Sequence, residues 1–369
     1  MRAHSRKFSP FAIQTSDAQV QDLRDRLLRA RLPIATPGAE WSRGIPVPLL
    51  DSLRTQWVEQ FDWPALTTRL NTEHQYRYDH EATNLHFVHR AAHETDTLPV
   101  LTLHGWPYTF AQMLPLADAL NRSRPLVAPS LPGFAFSPPL HTEFSARRVA
   151  ELMHDLMTDL GYERYLVYGE DMGAPIADWI AGLYPESVAG IIATHPSFSA
   201  QARPEIELAP EERRFLATTM LREESGYALQ QATRPDTLAA AVGDSPLGLL
   251  AWIIEKVAAW SDGGHATGIE RFDPEELLTL VSLYWHTNSI GTSFRTYCEP
   301  GDFDAHPVVG VPAALRIQTH EAGYPRSLAE KSYLDIRSFE RLKSGGHFTA
   351  WENPKAVADA IAELAATLS

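Results

Sequence analysis

Apolar residues fall along this chain in two rhythms that replace one another in turn. Val100 to Leu103, Leu126 to Ala128, Tyr165 to Tyr168 and Val188 to Ala193 are short continuous apolar runs, the pattern of strands buried on both faces of a parallel sheet. Between them Phe110 to Leu120, Ala146 to Leu160 and Ala174 to Leu183 carry apolar residues at helical spacing, so the middle of the chain is predicted to repeat βαβ units. Upstream, Gln75 to Tyr78 and Leu85 to Val88 alternate apolar and polar around Glu-Ala-Thr-Asn, which predicts an antiparallel hairpin. Further upstream, the capping box Ser16-Asp-Ala-Gln19 opens a helix over 17–30 with Val20, Leu23 and Leu27 on one face, ending before Pro33. Leu49, Leu50, Leu53, Trp57 and Phe61 form a second stripe that stops near Trp63-Pro64. These helices read as a structural arm laid against the core.

From His195 to Glu299 the alternation breaks. That run is helical in pattern, rich in Tyr, Trp and charge, and lacks a clear strand, so it reads as a lid. Alternation resumes with Ala313 to Ile317, Ser338 to Leu342 and a terminal helix from Pro354 to Leu368. The pattern predicts an α/β class: a mostly parallel twisted sheet with helices on both faces, a helical lid and an N-terminal helical arm. The expected divisions are 1–90 for the arm, 91–195 and 300–369 for the two parts of the core, and 196–299 for the lid.

Composition narrows the function. With 369 residues, 44% of them hydrophobic, the chain can bury a large core. A formal charge of −14 argues against a nucleic-acid partner and favours a soluble protein with a small-molecule ligand. Cys298 is the single cysteine, which excludes an intrachain disulfide and suits a reducing compartment. Met1 to Ile13 has no long apolar core, so neither a signal peptide nor a membrane span is expected there. A cytoplasmic location without a membrane partner follows as the expectation, with a homodimer left open.

The chemistry is expected at Leu166 to Ala174. A short strand enters a sharp turn flanked by Gly169 and Gly173 and followed at once by a helix, the shape of a nucleophile elbow. The residue at its tip is Asp171. A carboxylate there can attack an electrophilic carbon to give an alkyl ester, which points to epoxides or alkyl halides. His104-Gly-Trp-Pro107, after an early strand, offers the Trp106 N–H, which with that of Met172 forms a candidate oxyanion hole. His347, in Ser344-Gly-Gly-His after the last strand, is the candidate base. Its acid should lie between nucleophile and histidine in chain order. Glu321, just past the Ala313 to Ile317 strand, fits, with Asp302, Asp304 and Asp335 as competitors.

His-Gly-Trp-Pro, Gly-Glu-Asp-Met-Gly, Gly-Gly-His-Phe and the arm segments Phe61-Asp-Trp63 and Leu85-His-Phe-Val-His89 together resemble the microsomal type of epoxide hydrolase, a group with juvenile-hormone and bacterial members on the α/β-hydrolase fold. The resemblance implies conversion of an epoxide to a vicinal diol through an aspartyl ester, with no metal or organic cofactor and with water as second substrate. It also implies two lid tyrosines that donate to the epoxide oxygen, matched here by Tyr227 in Ser225-Gly-Tyr and Tyr297 in Thr296-Tyr-Cys. Where relatives commonly carry Gly-Ser after His-Gly-Trp-Pro, this chain has Tyr108-Thr109, a departure that reshapes the pocket beside the oxyanion hole. Trp106 and Tyr108 are the substrate-binding candidates. Trp252, Trp260, Tyr284 and Trp285 in the lid suit a bulky apolar or aryl epoxide, in detoxifying catabolism or in secondary metabolism. Two alternatives stand beside this reading. A haloalkane dehalogenase commonly has tryptophan after the nucleophile, where this chain has Met172, and a catalytically silent binding protein of the same fold would not need Asp171, Glu321 and His347 together.

Overall fold

The computed structural model describes residues 7–93, 97–198, 205–220, 225–299 and 307–368. Nine strands form one sheet in the order β1-β2-β3-β5-β4-β6-β7-β8-β9. They are β1 (Phe8–Phe11), β2 (Gln75–His80), β3 (Thr83–Arg90), β4 (Val100–Leu103), β5 (Leu126–Pro129), β6 (Tyr165–Gly169), β7 (Val188–Ala193), β8 (Val309–Ile317) and β9 (Tyr333–Arg341). The first three pair antiparallel, β3 meets β5 antiparallel, and every pairing from β5 through β4 to β9 is parallel. All residues of β4, β5, β6 and β7 are buried, as their unbroken apolar runs require.

The helices are α1 (Asp17–Arg29), α2 (Val47–Glu59), α3 (Trp63–Leu70), α4 (Leu114–Ala119), α5 (Ala146–Asp159) and α6 (Gly173–Leu183), followed by the lid helices α7 (Pro210–Met220), α8 (Gly226–Thr233), α9 (Pro235–Asp244), α10 (Pro246–Trp260), α11 (Gly264–Thr267), α12 (Pro274–Thr287), α13 (Ile290–Ser293) and α14 (Arg295–Cys298). The short α15 (Arg326–Ala329) and α16 (Thr349–Glu352) and the long α17 (Pro354–Ala366) complete the chain. Helix α5 packs beside α6, and α4 beside α17, as the two layers flanking the sheet. Among the described residues no single helix is long and apolar enough to cross a membrane.

Two arm elements differ from the sequence reading. Trp63-Pro64, read as a helix stop, instead begins α3: the Asp62 carboxylate accepts the Ala65 N–H at 2.9 Å, and Pro64 sits in the first turn, where its missing donor costs nothing. Phe8–Phe11, read only as part of the arm, is an edge strand on β2, with Phe8 stacked 5.2 Å from Tyr78. An edge tolerates the proline at position 10 within it.

The arm also does more than lie on the core. Helices α1 and α2 pack on α10, and α2 and α3 on α12, so the arm grips the lid. The buried Trp57 Nε1–H donates to Ser282 Oγ at 2.9 Å, Arg26 pairs with Asp244 at 2.8 Å, and Trp63 and Trp41 stack on His286 and His265. Exposed ion pairs contribute little. The buried indole, 4% exposed, is the anchor. Trp57→Phe keeps most of the apolar contact but leaves the Ser282 hydroxyl without this partner, an expected loss of about 1–3 kcal/mol. Trp57→Phe/Ser282→Ala is expected to recover part of that loss, because neither partner is then left unsatisfied; urea denaturation of both variants checks this.

Candidate active site

The turn between β6 and α6 holds Asp171 at φ +50°, a left-handed conformation that a non-glycine residue adopts only where its surroundings impose it. Three glycines make it sterically feasible. A Cβ on Gly169 would lie 2.2 Å from the Gly173 carbonyl oxygen, and one on Gly173 would lie 2.3 Å from that of Leu103. On Gly105 it would lie 2.3 Å from Asp171 Oδ1. Because β4 and β6 are neighbours, with Leu103 opposite Gly169, the loop after β4 arrives directly over the elbow. There the Trp106 N–H donates to Asp171 Oδ1 at 2.9 Å, and the Met172 amide, next in the chain, favours the charged form of the same carboxylate.

The other oxygen, Oδ2, faces His347 Nε2 at 3.3 Å. The loop that carries His347 is fastened from several sides. Glu352 accepts the Gly346 and Phe348 amides at 3.0 and 3.1 Å, Asp262 accepts that of Gly345 at 3.2 Å, and the His347 N–H donates to the Trp260 carbonyl at 3.0 Å. Burial raises the Asp171 carboxyl, but His347 and the two amides outweigh it and hold the group below the usual carboxylate range. For His347, burial works against the cation; contact with Asp171, then the charges of Glu321 and Glu170, overcome it and raise the imidazole above its ordinary value. In the free protein the pair is therefore poised as carboxylate and imidazolium.

Aromatic side chains roof the elbow. Tyr227 of α8 stacks on Trp106 with centroids 5.2 Å apart, and Tyr297 of α14 stands edge-on to Trp106 at 5.9 Å. The two phenols lie within hydrogen-bonding reach of one another, and burial, then Tyr227 and Asp171, holds Tyr297 well above the ordinary phenol range. Trp260, at the end of α10, packs 5.0 Å from Tyr227 and 5.1 Å from His347. The Lys256 ammonium, paired with Glu255 at 2.9 Å, stands 5.3 Å from the Tyr227 ring centroid.

Comparison with known proteins accords with this geometry. Residues 8–113 match the model of the epoxide hydrolase N terminus, and residues 99–240 that of the alpha/beta hydrolase fold. The juvenile hormone epoxide hydrolase of Bombyx mori is 32% identical over 94% of this chain and 84% of its own length. The chain belongs to the epoxide hydrolase family. The crystal structure of juvenile hormone epoxide hydrolase from Bombyx mori superposes with a TM-score of 0.86 at 29% identity, covering 98% of this chain and 94% of that one. Aspergillus niger epoxide hydrolase superposes at 0.85 with 26% identity, covering 98% and 96%.

Within this family framework the structure assembles Asp171, Trp106, Met172, His347, Tyr227 and Tyr297 at one place, with Glu321 buried in the turn after β8. The competing acids separate. Asp335 is on β9, paired with Arg337 at 2.7 Å and away from the elbow, while Asp302 and Asp304 lie outside the described residues. Tyr108 is wholly buried behind His347, edge-on to it, with its hydroxyl directed at Glu170, so its departure from Gly-Ser acts from the core side. Of the four lid aromatics singled out, Trp260 borders the elbow. Tyr284 is core, Trp252 is bonded to Gln231, and Trp285 lies under Arg26 of the arm.

Sequence reasoning missed His195 and Glu170. His195, just past β7, places Nε2 3.2 Å from His347 Nδ1, and Glu170 is a fully buried carboxyl next to Asp171 in the chain. A histidine ending a parallel strand next to the elbow strand was the available signal for the first. For Gly105→Ala, displacement of the Asp171 carboxylate from its amides is expected to cost at least about 100-fold in epoxide turnover. Circular dichroism should stay native; steady-state rates on an aryl epoxide measure the loss.

Proposed function

We propose that the chain hydrolyses an epoxide to a vicinal diol through a covalent ester on Asp171. The observation that carries this reading is the division of labour between the two oxygens of that carboxylate. Oδ1 is held by the Trp106 amide, Oδ2 is left toward His347, and the Met172 amide favours the charged carboxylate. Oδ2 attacks an epoxide carbon, the carbon–oxygen bond of the ring breaks, and the opening oxygen takes a proton from the Tyr227 and Tyr297 phenols that stand above Trp106. A hydroxyalkyl ester results.

Ester formation removes the negative charge that had raised His347, so the imidazolium gives up its proton, which restores the tyrosine phenolate left by ring opening, and the neutral imidazole becomes a base. It then takes a proton from water, which attacks Asp171 Cγ. The developing oxyanion is Oδ1, which already accepts the Trp106 N–H, with the Met172 amide beside the same carboxylate as the second candidate donor. Collapse breaks the bond to Oδ2, the leaving alkoxide takes the proton that His347 drew from water, and the diol departs; the oxygen from water stays on Asp171, whose new carboxyl returns its proton to His347. Glu321 supports the imidazolium through its charge. The aromatic roof of Trp106, Tyr227, Trp260 and Tyr297 supports an apolar or aryl substituent on the epoxide.

In a single turnover in H₂¹⁸O the label is expected in Asp171 and not in the first diol, and His347→Gln is expected to accumulate an intact-mass adduct without releasing diol. Label in first-turnover diol with none in the protein overturns the covalent reading. Tyr227→Phe and Tyr297→Phe are each expected to slow ester formation roughly 10-fold to 1000-fold, and the double variant to be nearly inactive. Stopped-flow tryptophan fluorescence checks this; an unchanged rate in the double variant places the acid elsewhere.

A further inference from the structure

The steps above leave a set of buried polar groups unused, and these groups connect. Starting from His347, Nδ1 lies 3.2 Å from His195 Nε2, and His195 Nδ1 lies 3.3 Å from Thr194 Oγ1. Thr194 Oγ1 lies 3.2 Å from the Tyr168 hydroxyl, and that hydroxyl donates to Glu170 Oε1. The same Glu170 oxygen accepts the Ala350 N–H at 2.7 Å, three residues beyond His347. Thr194, Tyr168 and Glu170 are wholly buried.

The polarity of this series is fixed by its end. An ionised carboxylate only accepts, so Tyr168 must donate to it, and Thr194 then donates to Tyr168. His195 presents its Nδ1 proton to Thr194 and leaves Nε2 as an acceptor, which the Nδ1 proton of His347 satisfies. Every donor points toward Glu170. Once the imidazole is neutral, in the ester state, the series thus keeps the His347 proton on Nδ1 and leaves the lone pair on Nε2, the nitrogen that faces Asp171.

We propose that Glu170 is a positioning residue for water activation, a second buried carboxylate that, through Tyr168, Thr194 and His195, holds His347 in the tautomer able to take a proton from water. It acts beside Glu321, and the proposal rests on the covalent reading given above. Its charge should matter only while it is ionised. Burial pushes the Glu170 carboxyl up to about 7, against the opposing pull of Tyr168, the Ala350 amide, His347 and Tyr108. His195, facing His347, Asp171 and His320, is kept neutral by burial first and by His347 next, so it serves as a neutral link.

The test separates the two half-reactions on styrene oxide, with excess enzyme, for wild type, Glu170→Gln and Tyr168→Phe. Glutamine keeps an acceptor for Tyr168 and Ala350 but removes the charge. Ester formation is expected to stay within about 3-fold of wild type, while ester hydrolysis by Glu170→Gln falls about 10-fold near pH 9. That gap should close toward about pH 6, where the wild-type Glu170 is itself protonated. Tyr168→Phe, which keeps the carboxyl and cuts the series, is expected to slow hydrolysis of the ester in the same selective way. Ester hydrolysis equal to wild type at every pH in Glu170→Gln, or an equal, pH-independent fall in both half-reactions in both variants, overturns the proposal. Absence of any adduct in the wild type overturns the covalent reading instead.

Discussion

Three backbone segments meet around Asp171 more closely than side chains permit, and the rest of the site follows from that approach. The end of β4, the elbow and the start of α6 converge where Gly105, Gly169 and Gly173 have no Cβ to collide. Neither the amides nor the carboxylate could reach one another with an ordinary residue at any of the three places. The approach is a property of the sheet, since β4 lies directly beside β6, and the positive φ at Asp171 is the local distortion that the surrounding core sustains. The Asp171 carboxylate is therefore held in place before substrate arrives, which in the proposed reaction reduces the reorganisation required.

Charge within this site is shared, so in the proposed reaction each step resets the next. Asp171, His347, Glu321 and Glu170 are all buried or nearly so, and each influences the imidazole. In so dry a setting the loss of one negative charge is felt far more than in water. In the proposed reaction the base required in the second step is therefore held as an acid during the first. A histidine free in solution has no such ordering.

Much of this could be read from the sequence, for identifiable reasons. The capping box at Ser16, the buried runs of β4 to β7 and the glycine-flanked Asp171 are local signals, each carried by a few adjacent residues. Elements whose existence depends on partners were harder. Strand β1 has four residues, one a proline, and is a strand only because β2 pairs with it. Helix α3 begins at a Trp-Pro step that equally suits a stop, and the Asp62 cap decides between them. At the site, chain order pointed to Asp171 and His347, which the fold brings to 3.3 Å of one another. His195 and Glu170 could not be found in that way, because their relation to His347 exists only where β6, β7 and the loop after β9 come side by side.

The arm is attached at two places: β1 joins the sheet at its edge, while α1, α2 and α3 grip the lid helices α10 and α12. It is a strap between floor and roof. Helix α10 ends in Trp260, which touches both Tyr227 and His347, so the height of the roof above the nucleophile is set partly by residues in the first seventy positions. The shape of the roof accordingly depends on the strap as well as on the residues around the elbow. Directed evolution confined to side chains that touch substrate leaves that second set of variables unsampled, and a lid exchanged between relatives carries its shape across only when its own arm is moved with it.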